Sequence, residues 1–264
     1  MKITVFTSNQ PRHLSLIAGL ASIADEVFAI QECNTIFPGQ VADFFRRSEV
    51  MQEYFSHVIA AEKEIFGLPR FSPANVRSLS MKLGDLNRLE MSTLQPALES
   101  DYYVVFGSSF IKGDLIDFLV NHRALNIHMG VSPYYRGSSC NFWALQEGHP
   151  DYVGATIHML SKGLDSGPML FHALPAPQEI EAFPLGMQAV KAAHTGLIEY
   201  LQAGKIFDFE PVVQDKSLEL KYTRNSDFTD EVAAAYLQAA PSAADIAHAL
   251  AARDLERFLH PYLF

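Results

Sequence analysis

Two short stretches carry the side chains best suited to act together: Leu125-Asn126-Ile127-His128 and Gly163-Leu164-Asp165-Ser166-Gly167. The first is apolar at alternate positions, and in a strand successive side chains point to opposite faces. Asn126 and His128 therefore emerge on one face, Leu125 and Ile127 on the other. Asp165 lies between two glycines in a loop, far enough along the chain for the backbone to leave the sheet and return. An amide, an imidazole and a carboxylate suit attack of an amine on a carbonyl carbon. Amide N–H groups and a protonated imidazole donate hydrogen bonds to a developing oxyanion. A carboxylate raises the imidazole pKa and relays the proton that leaves the amine. No side-chain nucleophile is needed, and there is no Gly-x-Ser-x-Gly elbow to supply one. Two plainer readings compete: polar residues satisfied at a strand end, and a metal site that adds His158. The close ligand spacing typical of zinc is missing, so no metal is expected.

The elements that must hold these groups read as an α/β chain. Lys2–Thr7 is a short β-rich run, Leu14–Ile23 is apolar with helical period, and Val27–Ile30 is a second buried strand. Residues 39–66 carry helical periodicity through Val41, Phe44, Phe45, Met51, Tyr54, Phe55 and Val58, and Leu68–Val76, with two prolines, should be a loop. Further strands are expected at Tyr102–Phe106, Ala124–His128, Val153–Leu160 and Pro168–Leu174, and helices at Ile111–Val120 and Phe183–Gln202. Gly130–Gly148 is a long connection. Residues 205–227 read as extended or irregular, and two Ala-rich helices follow, Asp230–Ala240 and Ala243–Ala251, the second capped by Ser242. This order predicts a doubly wound, mostly parallel sheet of Rossmann-like type, with a catalytic domain over 1–204 and a small C-terminal extension over 205–264. Ligands of such sheets sit beyond the carboxyl ends of the strands. That rule points to Thr7–Arg12, Gly107–Phe110, His128–Ser139 and Ser161–Gly167.

Asn-Ile-His, then Ser-Pro-Tyr-Tyr-Arg-Gly, then Gly-Ala-Thr-Ile-His-Met-Leu and Leu-Asp-Ser-Gly-Pro-Met-Leu together resemble the folate-dependent formyltransferases. That family includes glycinamide ribonucleotide, methionyl-tRNA and nucleotide-sugar enzymes. The resemblance is close over about Asp101–Leu174 and looser over the opening strand and helix. It implies Asn126, His128 and Asp165 as catalytic residues and N10-formyltetrahydrofolate as co-substrate. It also implies a pterin lying against Phe106, Gly107 and Ser108 and against Ser161, Gly163 and Leu164. On the acceptor side the candidates are Arg12, Ser132, Tyr135 and Arg136. Met129-Gly130 departs from the Pro-Ser that usually follows the histidine in this family, which puts the shape of the acceptor pocket in question.

The acceptor is narrowed by what is missing. The segment Thr7–His13 has no glycine, so its backbone cannot approach a phosphate as a Gly-rich loop does. The chain has 20 Lys+Arg against 30 Asp+Glu, a net charge of −10, and residues 205–264 contribute six basic and ten acidic residues, or 6 − 10 = −4. A nucleic acid needs clustered cations. The expected partner is therefore a small-molecule amine, with a nucleotide-linked amino sugar leading and another small amine, such as an amino acid or a hydroxylated ornithine, behind it. A formyltetrahydrofolate hydrolase, an inactive folate-binding homologue and a dinucleotide-dependent oxidoreductase are the competing classes. The last lacks its Gly-x-Gly-x-x-Gly after the first strand.

Two cysteines are too few for a disulfide framework, no signal peptide is evident, and no apolar run nears the ~20 residues of a membrane span. A cytoplasmic protein with no membrane partner is expected, and a homodimer is left open. Other conspicuous residues have ordinary explanations. Cys140 reads as a small core residue, His158 as a packed strand residue, and Arg136 as a loop tie. Phe142, Trp143, Tyr134 and Tyr135 read as core aromatics, and Arg46-Arg47 as a solvated helix face.

Overall fold

The structure, a computed structural model, is described for residues 1–33, 35–36, 40–41 and 47–264. Its strands are Lys2–Thr7 (β1), Glu26–Cys33 (β2), Thr35–Ile36 (β3), Gln40–Val41 (β4), Val76–Lys82 (β5), Tyr102–Val105 (β6), Leu125–His128 (β7), Tyr135–Gly137 (β8), Ala155–Met159 (β9), Met169–Leu174 (β10), Lys221–Thr223 (β11) and Tyr262–Leu263 (β12). The α-helices are Pro11–Ile23 (α1), Glu49–Phe66 (α2), Gly113–Asn121 (α3), Cys140–Gln146 (α4), Ala182–Gln202 (α5), Asp230–Ala239 (α6) and Ala243–Ala251 (α7). One sheet runs β12-β10-β9-β7-β6-β1-β2-β5, and β9 is antiparallel to both its neighbours while the other pairs are parallel. This is the mostly parallel α/β sheet expected from the order of elements.

Alternation along the strands builds two separate cores. Ile3, Val5, Val27, Ala29, Val104, Leu125, Ile127, Ala155 and Ile157 point to one face, where α1 packs Leu16, Ile17 and Leu20 and α5 packs Val190, Ala193 and Leu197. Phe6, Phe28, Ile30, Tyr103 and Val105 point to the other, against Leu115, Ile116 and Leu119 of α3. Because Leu125 and Ile127 are committed to the first core, Asn126 and His128 face the second side, as strand geometry requires. Ala155 and Ile157 impose the same on Thr156 and His158.

The differences from expectation have local causes. The loop expected over Leu68–Val76 meets β5 at Val76, and no strand is expected there. β5 is an exposed edge strand with the sequence Val-Arg-Ser-Leu-Ser-Met-Lys, so it lacks the apolar run that marks a buried strand. The helix expected over 39–66 begins at Glu49, capped by Ser48, and Val41 belongs to β4 instead. Phe44, Phe45 and Arg46 lie outside the described residues. The connection 130–148 contains β8 and α4.

The last sixty residues tie into the fold at several places. β12 adds an edge to β10 of the main sheet, and β11 pairs with β8 in a separate two-stranded ribbon. Arg253 is buried, and its guanidinium donates to the carbonyls of Asp151 (2.8 Å), Pro175 (2.8 Å) and Val153 (3.4 Å). His172 on β10 donates from Nε2 to the Ser132 carbonyl at 2.8 Å and accepts from the Leu259 amide at 2.9 Å. No helix among the described residues is long and apolar enough to cross a membrane.

Two stability predictions follow from these contacts. Gly137 has φ +88°, and a Cβ there would lie 1.9 Å from the Thr223 carbonyl oxygen. Gly137→Ala should lower the urea-unfolding free energy by more than about 2 kcal/mol, since strain and overlap add. Burial pushes His158 and His172 down to about 4 and His194 to about 3, from an ordinary 6.5. Below pH 6.5 the unfolded chain binds more protons at these positions than the folded one, so stability is lost as pH falls from 6.5 toward 4. Both ring nitrogens of His194 lack partners among the described residues, and the ring packs on Phe66 and Phe106. His194→Leu should therefore keep or raise the melting temperature at pH 7 and flatten its decline toward pH 5, both read by thermal melts.

Candidate active site

β7 ends at His128 on the carboxyl edge of the sheet, two residues after Asn126. The antiparallel register of β7 and β9 sets His158 directly opposite Asn126. The loop after β9 then carries Asp165 back over both. Asp165 has φ +45°, a left-handed conformation that aspartate tolerates better than most residues. From there one carboxylate oxygen, Oδ2, lies 3.2 Å from His128 Nδ1, and the other, Oδ1, accepts from the Asn126 amide at 3.1 Å. The three residues singled out in the sequence are thus brought together.

The protonation pattern can be read from the partners. His158 Nδ1 lies 2.8 Å from the Met159 carbonyl, an acceptor only, so Nδ1 carries the hydrogen. Its Nε2, 2.9 Å from the Asn126 amide nitrogen, must then accept. Asn126 accordingly directs one N–H to His158 and the other to Asp165, and the reverse amide orientation would set its oxygen against two acceptors. Burial keeps His158 neutral, at about 4. A metal site with His128 and Asp165 would need the His158 lone pair that Asn126 already occupies. For His128, burial is the largest influence and disfavours the charge. The Cys140 side chain and the Asp165 carboxylate oppose this and raise its pKa above the ordinary value. Burial alone would raise Asp165, but the facing His128 charge and the hydrogen bonds hold it below the usual carboxylate value.

Two residues that sequence reasoning missed position this centre. Gln214, buried in the segment after α5, donates from Nε2 to the carbonyls of Asp165 (2.8 Å) and Gly167 (3.0 Å), clamping the loop from outside the sheet. Glu32 at the end of β2 is fully buried and accepts from the amides of Gly84, Leu86 and Ser109 and from the Ser109 hydroxyl. It thereby holds the loop after β6. Neither belongs to a motif, and both act on loops distant in sequence.

Three cavities adjoin the centre. One of about 260 Å³ is lined by Asn126, His128 and Asp165 together with Phe106, Gly107, Ser108, Ser161, Gly163 and Leu164, so all the expected donor-side residues share one wall system. A small one of about 90 Å³ lies between His128, Asp165, Arg136 and Tyr222. A third, of about 340 Å³, is walled by aromatic residues including Tyr54, Phe55, Phe142, Phe183, Phe228 and Tyr236, with Met129, Cys140 and Arg12 also in its lining.

Of the four acceptor-side residues, two stand away from these cavities. Ser132 is fully buried, and its backbone is spent on Thr156 Oγ1 and His172. Tyr135 is buried among aromatic residues, with its hydroxyl on Glu147 at 3.0 Å. Neither lines these three cavities. Apolar packing drew both inward, which a turn motif does not reveal. Arg136 and Arg12 do reach cavities, each paired with a carboxylate at 2.8 Å, Glu219 and Glu62 respectively.

The family described as formyl transferase matches residues 1–201. A methionyl-tRNA formyltransferase of Finegoldia magna is 31% identical over 121 residues, which cover 43% of this chain and 38% of that protein. The alignment thus spans well under half the length of that relative. A 4-N formyltransferase from Francisella tularensis superposes with TM-score 0.52 at 17% identity, covering 86% of this chain and 77% of that one. An N-formyltransferase from Helicobacter canadensis, crystallised with folinic acid and dTDP-3-aminofucose, gives TM-score 0.50 at 12% identity over 89% of this chain and 78% of its own. At these identities the solved structures show the fold, and the family match over most of the length shows the lineage: this protein belongs to the formyl transferase family.

Proposed function

We propose that the protein moves the formyl group of N10-formyltetrahydrofolate to the primary amine of a small molecule, with a nucleotide-linked amino sugar as the acceptor. The observation that carries this reading is the connected set Asn126, His128 and Asp165 on the wall of a single cavity. In the reaction the amine nitrogen bonds to the formyl carbon, the bond from that carbon to N10 breaks, and one amine proton ends on N10. Asp165, held ionised and 3.2 Å from His128, is the base placed to take that proton and pass it on. His128, held as the cation, supplies the positive charge against the oxyanion. Both Asn126 N–H groups face protein acceptors, so its contribution in this arrangement is to orient Asp165 rather than to serve as the main oxyanion donor.

The donor cavity suits a folate. Its walls are the two loops Gly107–Ile111 and Ser161–Asp165, which offer backbone groups to a polar ring edge. Phe110 and Leu164, two of the protein's exposed large apolar residues, stand at this cavity and would cover a flat ring. The aromatic cavity beyond Met129 and Cys140 suits a planar or ring-shaped acceptor, since stacking on aromatic faces tolerates many rings. Favouring a small acceptor over tRNA are the net charge of −10 and the pairing of Arg12, Arg136 and Lys221 with Glu62, Glu219 and Glu147.

The assay combines the protein with 10-formyltetrahydrofolate and a panel of amines that includes nucleotide-linked amino sugars, amino acids and hydroxylated ornithine, and follows tetrahydrofolate release. Release with an amino sugar nucleotide is expected. Binding of the donor without release for any amine would end the transferase reading and leave a folate-binding protein. Asp165→Asn and His128→Ala should each lower kcat by ~10²-fold or more, with little change in donor affinity measured by fluorescence titration.

A further inference from the structure

Gly130 and Cys140 are ten residues apart in sequence and in contact in the fold. A Cβ on residue 130 would lie 2.4 Å from Cys140 Cβ, 2.8 Å from its Sγ and 3.1 Å from His128 Nε2. Any larger residue at 130 would force the sulfur away from the ring. With glycine there, Cys140 Sγ comes within 3.5 Å of His128 Nε2, and both side chains are buried. The thiol also reaches the Gly137 carbonyl at 3.4 Å, which can take only a donated hydrogen. With the S–H directed there, a sulfur lone pair is left for the ring N–H. On its other side the ring meets Asp165 Oδ2.

We infer that Cys140 is a positioning residue for His128: its sulfur accepts the Nε2 hydrogen, so that both ring nitrogens stay protonated and the ring plane is fixed between sulfur and carboxylate. Sulfur is a weak acceptor. It therefore aligns the N–H without holding it strongly against an arriving anionic oxygen, and the absence of a Cβ at Gly130 is what gives the sulfur room. The remaining groups around the ring do not supply this. His158, with ring centroids 6.5 Å apart, is neutral and engaged with Asn126; Arg136 is paired with Glu219; Tyr222 only shares the small cavity.

The consequence for formyl transfer rests on the function proposed above, but the contact itself can be tested without it. Nitrogen-15 NMR of the imidazoles in the free protein reads the protonation of His128 directly. The parent should keep both nitrogens protonated through neutral pH. Cys140→Ala should lower the His128 pKa by up to about one unit, where a full unit is a tenfold change in the ratio of charged to neutral ring. Cys140→Ser, nearly isosteric, should fall between them. Gly130→Ala, which displaces the sulfur without removing it, should lower the pKa as well. In turnover, the basic limb of the kcat profile should move to lower pH by the same amount while the donor KM stays put. A His128 titration identical in parent and variants overturns the proposal, as does one that moves while the kcat profile does not. If the parent shows no turnover with any amine, the transferase reading fails while the NMR result still decides the Cys140 contact.

Discussion

The site depends on one carboxylate being asked to do two things. Asp165 meets His128 with one oxygen and Asn126 with the other, and it does so from a left-handed backbone conformation on a loop. A loop in that state is not self-sufficient, because a non-glycine residue at positive φ persists only where its surroundings over-determine it. Gln214 provides that constraint by gripping the carbonyls of Asp165 and Gly167, and the bridge between Met169 and Val212 holds the segment carrying Gln214 against β10. The chemistry at the carboxyl edge of the sheet is thus tied to residues that come after the last long helix. The same holds for the Arg136 turn, whose strand β8 is paired by β11.

This dependence gives the acidic C-terminal stretch a structural meaning. Its charge is mostly on the surface, whereas its contacts with the core are made by a few well-placed groups. Among the described residues no carboxylate forms an ion pair with Arg253. Its three backbone carbonyl acceptors take its hydrogens, and burial lowers its pKa to about 10, which still leaves it charged at neutral pH. A buried cation satisfied by carbonyls fixes the relative positions of three chain segments, since each hydrogen bond has a preferred direction. Glu32 plays the mirrored role with an anion beneath the loop after β6.

What the sequence revealed and what it hid divide along the range of the interactions. Alternation in Leu125–His128 was enough to put Asn126 and His128 on one face, because that is a property of four consecutive residues. Glycines flanking Asp165 were enough to mark a turn. The role of His158 was not legible, since it requires the β7–β9 register that sets it opposite Asn126. Gln214 and Glu32 were invisible for the same reason: they bond to loops about fifty or more residues away in most cases. Ser132 and Tyr135 lie inward of the cavities, and a turn motif names residues without saying which of them the core will claim. The edge strand β5, exposed on most of its length, gave no apolar signal to read.

The two histidines on the active face show how little chemistry separates a cation from a neutral ring. His128 and His158 are both buried, both within reach of Asp165, and only 6.5 Å apart between centroids. Burial disfavours charge in each. The difference lies in what faces their nitrogens. His158 has a carbonyl at one nitrogen and an N–H donor at the other, a pairing that only the neutral tautomer satisfies. His128 has a carboxylate at one nitrogen, an acceptor that calls for a hydrogen there, and the Cys140 sulfur at 3.5 Å from the other, which suits a charged ring if the sulfur accepts. Asn126 is the group that separates the two cases, since its N–H occupies His158 and leaves the nearer oxygen of Asp165 for His128. Holding His158 neutral also keeps a second positive charge away from His128, whose proton a neighbouring cation would otherwise weaken. The site therefore concentrates one charge pair at the sheet edge, its positive end on His128 and its negative end on Asp165.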